Sequence, residues 1–572
     1  MKNLLITLFA ACAVLSANSC SDDYMEQMNT DGTKSPTIDP STQLTTALLQ
    51  TYGDFGLMDT YRNYITGFTQ YYMGGWNVAA HAGSNWAKND IMSQLWDRYY
   101  TIAIKNLTDA IERSHDKPNL NAALRIHKVY LLSVLTDTYG DVPCSEAGQG
   151  YLAGIATPKY DTQEEIYHYF FTELAECVAQ LGTGNDHIGG DVTSLGGDPE
   201  AWKKYANSLR MRFAMRISDI EPAKAKEEFE KAMRAEGGYI RTAAEDAYVI
   251  HTTAPFTLYD GAKELDFRAN ALSEMLYGQD PTSPTFVCST LYNRMEETGD
   301  PRLHRICRNY INTTRIETAP EGCFDVTDEV NAWKEQGGAG TQPNNPGEAW
   351  YHNWPTVPTN DDIPTLARLV KENPTAGYDQ SNYPARMVRP FLAVAFEDSA
   401  CPGVLLTSAE TEFLLAEAVV KGWAENGNAQ SHYEAGIGAA LRFLNDHYAL
   451  VDKISDGEIA SYIAANPLGD NPKEAINTQA WIHHLTNPAE GWANLRRSDY
   501  PVLLERQQFG YFDGFTYEDS NMTPPVRLKY PNLELKYNST HYKEAIERLG
   551  GTDDWHKRNW WDTKEGNYYK KL

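Results

Sequence analysis

The chain has 572 residues, 77 of them acidic and 50 basic, for a net charge of −27. That balance argues against a nucleic-acid or anionic-lipid surface, both of which need clustered Lys and Arg. The length suits about two to four domains or one elongated body, and the 35 Tyr and 13 Trp exceed what a core alone requires, leaving rings for stacking surfaces.

Met1-Lys2-Asn3 is a short positive start, Leu4 to Leu15 an apolar run too short to span a bilayer, and Ser16 to Ser19 a stretch of small residues. These are the three regions of a secretory signal over residues 1–19. The small residues lead into Cys20, which resembles the lipobox of a bacterial lipoprotein, whose thiol is acylated and becomes the mature N-terminus. Ser21-Asp22-Asp23-Tyr24 resembles the surface-export signal of Bacteroidetes lipoproteins. Each buried acyl methylene contributes ~0.8 kcal/mol, so several chains anchor stably. The sequence therefore predicts a lipid anchor at Cys20, a polar tether through residue 41, and a folded body over 42–572.

Helical signals follow in pairs. Apolar residues at 124, 126, 131, 132 and 135 lie on one helix face, and Glu164 to Leu181 repeats the pattern before Gly182, a C-cap. Tyr205, Leu209, Phe213 and Ile217 are spaced by four in Trp202 to Ile217, and Pro222 to Ala235 is rich in Ala, Glu and Lys. From about Arg241 to Ala400 the texture turns to Pro, Gly, Asn and Asp, with Gly337 to Gly347 incompatible with regular structure. Helix resumes at Ser408 to Trp423 and His432 to Leu444, a helix pair of tetratricopeptide type or a plain αα-hairpin. The predicted fold is mostly α: tetratricopeptide-like helix pairs over about 90–235 and 405–450, with an irregular, loop-rich lobe over about 241–400.

Beyond Cys12 and Cys20, the cysteines Cys144, Cys177, Cys288, Cys307, Cys323 and Cys401 show no C-x-x-C pairing and no zinc spacing. Buried free thiols and oxidation within Cys288, Cys307 and Cys323 both remain open.

Seven stretches in order resemble the SusD/RagB family of nutrient-binding outer-membrane lipoproteins, in its starch-binding-protein-like branch. They are Leu135 to Pro143, Trp202 to Arg212, Asp300-Pro301-Arg302-Leu303, Leu406 to Glu410 with Ala416-Glu417-Ala418, Gln479-Ala480-Trp481 with Glu490-Gly491-Trp492 and Arg496-Arg497, Tyr530 to Glu534, and Trp560-Trp561-Asp562. Cys144 departs from the pattern, standing where an aromatic is expected after the Gly-Asp-Val-Pro turn. The resemblance implies a non-catalytic lid on the cell exterior. It would capture glycan and deliver it to a SusC-like, TonB-dependent outer-membrane barrel. Capture of peptide or another nutrient is the alternative, and a surface glycoside hydrolase the remote one.

Most of these motifs have structural readings. Gly140 and Pro143 end a helix, Arg210, Arg212 and Arg216 are expected to pair with carboxylates, and Arg496-Arg497 with Trp492 forms an ion-pair and stacking element. Trp560-Trp561 locks the C-terminus.

Aromatic residues in irregular sequence are the candidate ligand contacts, because a loop ring need not serve a helix core. One cluster is Tyr71, Tyr72, Trp76, Asn77, Asn85 and Trp86; the other is Trp333, Trp350, Tyr351 and Trp354. Sugar C–H faces stack on such rings while Asn side chains donate and accept hydrogen bonds, and in the resembled family the contacting aromatics lie in a comparable early segment. Plain loop anchoring competes with this reading for both clusters.

Catalytic signatures are lacking: no G-x-S-x-G, H-E-x-x-H, phosphate loop or dinucleotide fingerprint occurs. His483 and His484, as neighbours on a helix, do not chelate together. No cofactor is expected. Asn185 to Asp191 with Asp198 offers oxygen ligands for structural calcium but lacks the spacing of a calcium loop, so a solvated loop is the expectation.

Overall fold

The computed structural model describes residues 38–74, 81–83, 85–253, 268–276, 285–311, 324–335, 391–423, 427–504, 523–563 and 569–570. Its longer helices are α1 (Pro40–Gly53), α2 (Lys105–Glu112), α3 (Pro118–Tyr139), α4 (Gln163–Gln180), α5 (Pro199–Arg216), α6 (Pro222–Arg234) and α7 (Ser289–Thr298). They continue as α8 (Thr327–Glu335), α9 (Ser408–Val420), α10 (Ala429–His447), α11 (Asp456–Ala465), α12 (Pro472–His483), α13 (Pro488–Ser498) and α14 (Ser539–Arg548).

Local sequence sets where these helices begin. Proline stands in the first turn of α1, α3, α5, α6, α12 and α13, where its missing N–H breaks no bond. Thr162 with Glu165 and Ser455 with Glu458 form reciprocal capping boxes ahead of α4 and α11. Chain turning after α3 falls to Gly140, whose φ of +98° suits glycine best.

Consecutive helices pack as antiparallel neighbours: α3 on α4, α4 on α5, α5 on α6, then α9 on α10 and on α12, and α10 on α11. Gly436 lets α10 approach α9 closely, because a Cβ there would stand 2.6 Å from the Phe413 ring. The fold is mostly helical, as the sequence predicts. Helix also extends beyond the expected ranges, from Pro40 near the start to α11–α14 beyond residue 450. Short α7 and α8 and small strands lie within the lobe expected to be irregular. Four of those strands, β1 (Tyr72–Gly74), β2 (Thr285–Val287), β3 (Cys307–Arg308) and β4 (Phe391–Leu392), form an antiparallel sheet in the order β1-β2-β4-β3.

The two helical halves meet across buried charge. Arg212 of α5 forms a bidentate pair with Glu410 of α9, and Arg216 donates to both oxygens of Glu490 at 2.6 Å while its Nε stands 3.3 Å from Asp137 of α3. Arg497 makes two 2.7 Å bonds to Glu417. Burial alone would raise the Glu417 carboxyl, but the Arg497 guanidinium holds it down to about 2. Arg496 lies 3.8 Å over the Trp492 ring, and Trp561 is fully buried with its Nε1 donating to Asp137. Each of these residues has the structural role the sequence assigns it. Cys144, Cys177, Cys288, Cys307 and Cys401 are buried and free, so Cys288 and Cys307 are not joined; Cys323 lies outside the described residues. Among the described residues no helix is long and apolar enough to cross a membrane.

Candidate functional site

The early aromatic segment divides in the structure. Tyr71 and Tyr72 are 0% and 1% exposed and belong to the core, which corrects their expected role as ligand contacts. The Tyr71 ring lies 5.0 Å from that of Trp481, its hydroxyl donates to the Trp481 carbonyl, and it packs where Gly491 leaves no side chain on α13. Burial pushes both phenols well above their ordinary range. The reason is positional: Tyr72 opens β1 and Tyr71 precedes it, so both rings are held against α12 and α13 by the sheet rather than by a free loop.

Trp86 is different. It is 39% exposed on a turn fixed from beneath. The Tyr64 hydroxyl donates to the Trp86 carbonyl at 2.9 Å and accepts from the Lys88 N–H at 2.9 Å. Asn85 adopts a φ of +54°, a conformation that Asn tolerates better than most residues. Its side chain is fully buried and donates to the Thr523 carbonyl at 2.7 Å, so Asn85 fixes the turn and does not face a ligand, a second correction. The His81 ring stacks on Trp86 at 5.0 Å and 9°, backed in turn by Tyr64 at 5.5 Å. Lys88 Nζ stands 5.9 Å from the Trp86 centroid and 3.7 Å from Asp90. The result is a rigid, half-exposed aromatic plate beside a mobile ammonium donor.

Trp76, Asn77, Trp350, Tyr351 and Trp354 lie outside the described residues, as does the side chain of Trp333, whose backbone belongs to α8. Sequence reasoning missed His81, Tyr64 and Lys88. The spacing of Tyr64 from the Trp86 loop carries no local signal, although His81 and Lys88 flank the tryptophan closely enough to have been noticed.

For a metal, Glu164, His168 and Glu221 bring donor atoms within 4.8 Å of one another, and His168 Nε2 is 2.7 Å from Glu221 Oε2. In the segment considered for calcium, Asp186 accepts the Asn119 and Leu120 N–H groups at the start of α3. Asp191 accepts from Thr193, Gly197 and Trp202, and Asp198 caps α5.

With this geometry in place, the comparisons define the class. The SusD-like family described as "Starch-binding associating with outer membrane" matches residues 33–336 and 370–531. The chain belongs to that family. No curated protein sequence matches it. Among solved structures, one described as "Bacteroidetes AC2a SusD-like" is 38% identical, with a TM-score of 0.81 over 92% of this chain and 100% of the other. Another, described as "chitin-binding protein", is 28% identical with a TM-score of 0.71 over 92% and 100%. A chitin-binding SusD homologue from Flavobacterium johnsoniae shares the fold at 20% identity, with a TM-score of 0.67 over 92% of this chain and 99% of that one.

Proposed function

We propose that this protein is a non-catalytic cell-surface binder that captures an oligo- or polysaccharide and delivers it to a SusC-like, TonB-dependent outer-membrane barrel. The observation that carries the reading is Trp86, a half-exposed ring on a preset turn, in a chain of a family described as starch-binding and outer-membrane associated. The 28% identical relative described as chitin-binding supports the same class of cargo. An indole plate offers a sugar its C–H stacking face, and Lys88 a donor to its hydroxyls. Lipidation of Cys20, with the polar tether after it, would keep the binder beside its transporter at high effective concentration while allowing it to hinge.

Calorimetry of residues 21–572 against polysaccharides and peptides tests this. Binding of neutral glycans is the expected result, and binding of peptides alone would replace glycan by peptide as the cargo. Release of product from the glycans would make the protein a hydrolase. Cys20→Ala should free the protein from the membrane, and pull-down from native outer membrane should recover a TonB-dependent barrel.

A further inference from the structure

A groove with about 710 Å³ of accessible space runs between α7, the turn after it, α8 and α11. None of its lining comes from residues 81–88 or 523–563, so it is separate from the Trp86 turn. Its volume lies within the ~300–1,000 Å³ typical of ligand sites.

The base of this groove is built and rigid. Asp300 and Arg302 form a buried pair, Arg302 donates to Gln479 Oε1 at 2.6 Å, and Gln479 Nε2 in turn donates to the Tyr462 hydroxyl at 2.7 Å. Tyr462, lining the groove, is thus fixed from behind. Arg305, also lining it, is 7% exposed and donates to Glu458 at 2.8 Å and to Asp452 at 2.6 Å, yet its buried Nε has no hydrogen-bond partner. Around this donor stand Glu458 and, on exposed positions of α7 and α8, Glu296 and Glu335. Glu458 is ionised at any ordinary pH: Ser455, through its N–H and hydroxyl, and then Arg305 hold its carboxyl down to about 2.

We infer that this groove is a second binding site, for a non-anionic oligosaccharide. The inference rests on the capture reading above. Carboxylates already held by Ser455 and Arg305 retain lone pairs that accept hydroxyls, tyrosines present a ring edge and face, and Arg305 Nε supplies one donor. Three glutamates against one committed guanidinium make the rim negative, which repels uronate, sulfate or phosphate groups. A peptide is disfavoured because the walls are helices, whose backbone groups are bonded internally, and an extended chain finds no strand edge to join.

The test is calorimetry on residues 21–572 with maltohexaose and the N-acetylglucosamine hexamer as neutral probes, hexagalacturonate as the anionic one, and hexalysine as a peptide. Wild type should take up two equivalents of a neutral hexamer. Trp86→Ala should remove one equivalent, and Ser461→Trp, which fills the groove from an exposed position on α11, should remove the other. Hexagalacturonate should bind the groove at least about tenfold more weakly, a margin that Glu335→Lys narrows. Glu335→Lys also serves if Ser461→Trp unfolds. Binding that Ser461→Trp and Glu335→Lys leave unchanged overturns the groove while sparing the capture reading. Binding lost only in those variants keeps the groove and removes Trp86. Saturation by hexalysine but not by sugars makes it a peptide site and overturns the inference, and no binding of any neutral hexamer at millimolar concentration overturns both readings.

Discussion

Tyr71 and Trp86 stand close in the chain and look alike as sequence, since both are rings in a Gly- and Asn-containing stretch. One is fully buried, with its hydroxyl tied to Trp481 and its ring against Gly491; the other is 39% exposed above His81. The difference lies in what each ring rests upon. Tyr71 abuts helices that come from more than 400 residues later in the chain, whereas Trp86 is held from below through its own backbone by Tyr64 and through its neighbour Asn85 by Thr523. A ring fixed by its side chain serves the core, and a ring fixed by its backbone keeps a face for something else.

The sharpest way to break this contrast is Tyr71→Ala, which should destabilise the fold by ~3–5 kcal/mol, the cost of emptying a large buried ring site. Chemical denaturation would measure it, and a loss below about 1 kcal/mol would return Tyr71 to the surface. Arg216→Ala probes the same core from its charged side. It leaves Asp137 and Glu490 without their shared guanidinium, so a similar ~3–5 kcal/mol loss is expected with glycan affinity unchanged in the folded fraction.

Acid should weaken the protein through Glu417. Its folded value of about 2 lies below the ordinary 4.5, so the pair with Arg497 contributes fully above pH 4.5 and is lost as pH falls from there toward 2. The share is on the order of 3 kcal/mol. Denaturant titrations across that range should show a steeper fall for wild type than for Glu417→Gln, and parallel curves would remove Glu417 from the acid transition. The smallest effect on stability belongs to Trp86→Ala, which should weaken glycan binding about tenfold while moving stability by less than about 0.5 kcal/mol. Unfolding on this substitution would erase the contrast with Tyr71.

Much of the scaffold was legible. The predicted helix pairs recur as α3 to α6 and as α9 with α10, because apolar spacing, N-terminal prolines and capping boxes are local signals that the final fold reinforces. The site was legible only in part. Trp86 was named for the right reason. Tyr71, Tyr72 and Asn85 were misjudged because a short β1 strand and a distant carbonyl at Thr523 decide their burial, and neither leaves a periodic trace nearby. The groove was signalled indirectly by Asp300-Pro301-Arg302 and by the Ser455–Glu458 capping box, each a local pattern whose partners lie far along the chain.

The sequence by itself determined the helices and their ends and the pairing of the α5 arginines with carboxylates. These follow from hydrophobic period, turn chemistry and the cost of burying an unpaired charge. Only the tertiary structure decided which carboxylate each arginine meets, which rings remain outside the core, and that α7, α8 and α11 enclose a groove. Those outcomes depend on contacts between segments more than a hundred residues apart, such as Arg212 with Glu410 and Arg305 with Glu458, and local physical chemistry cannot choose among such distant partners.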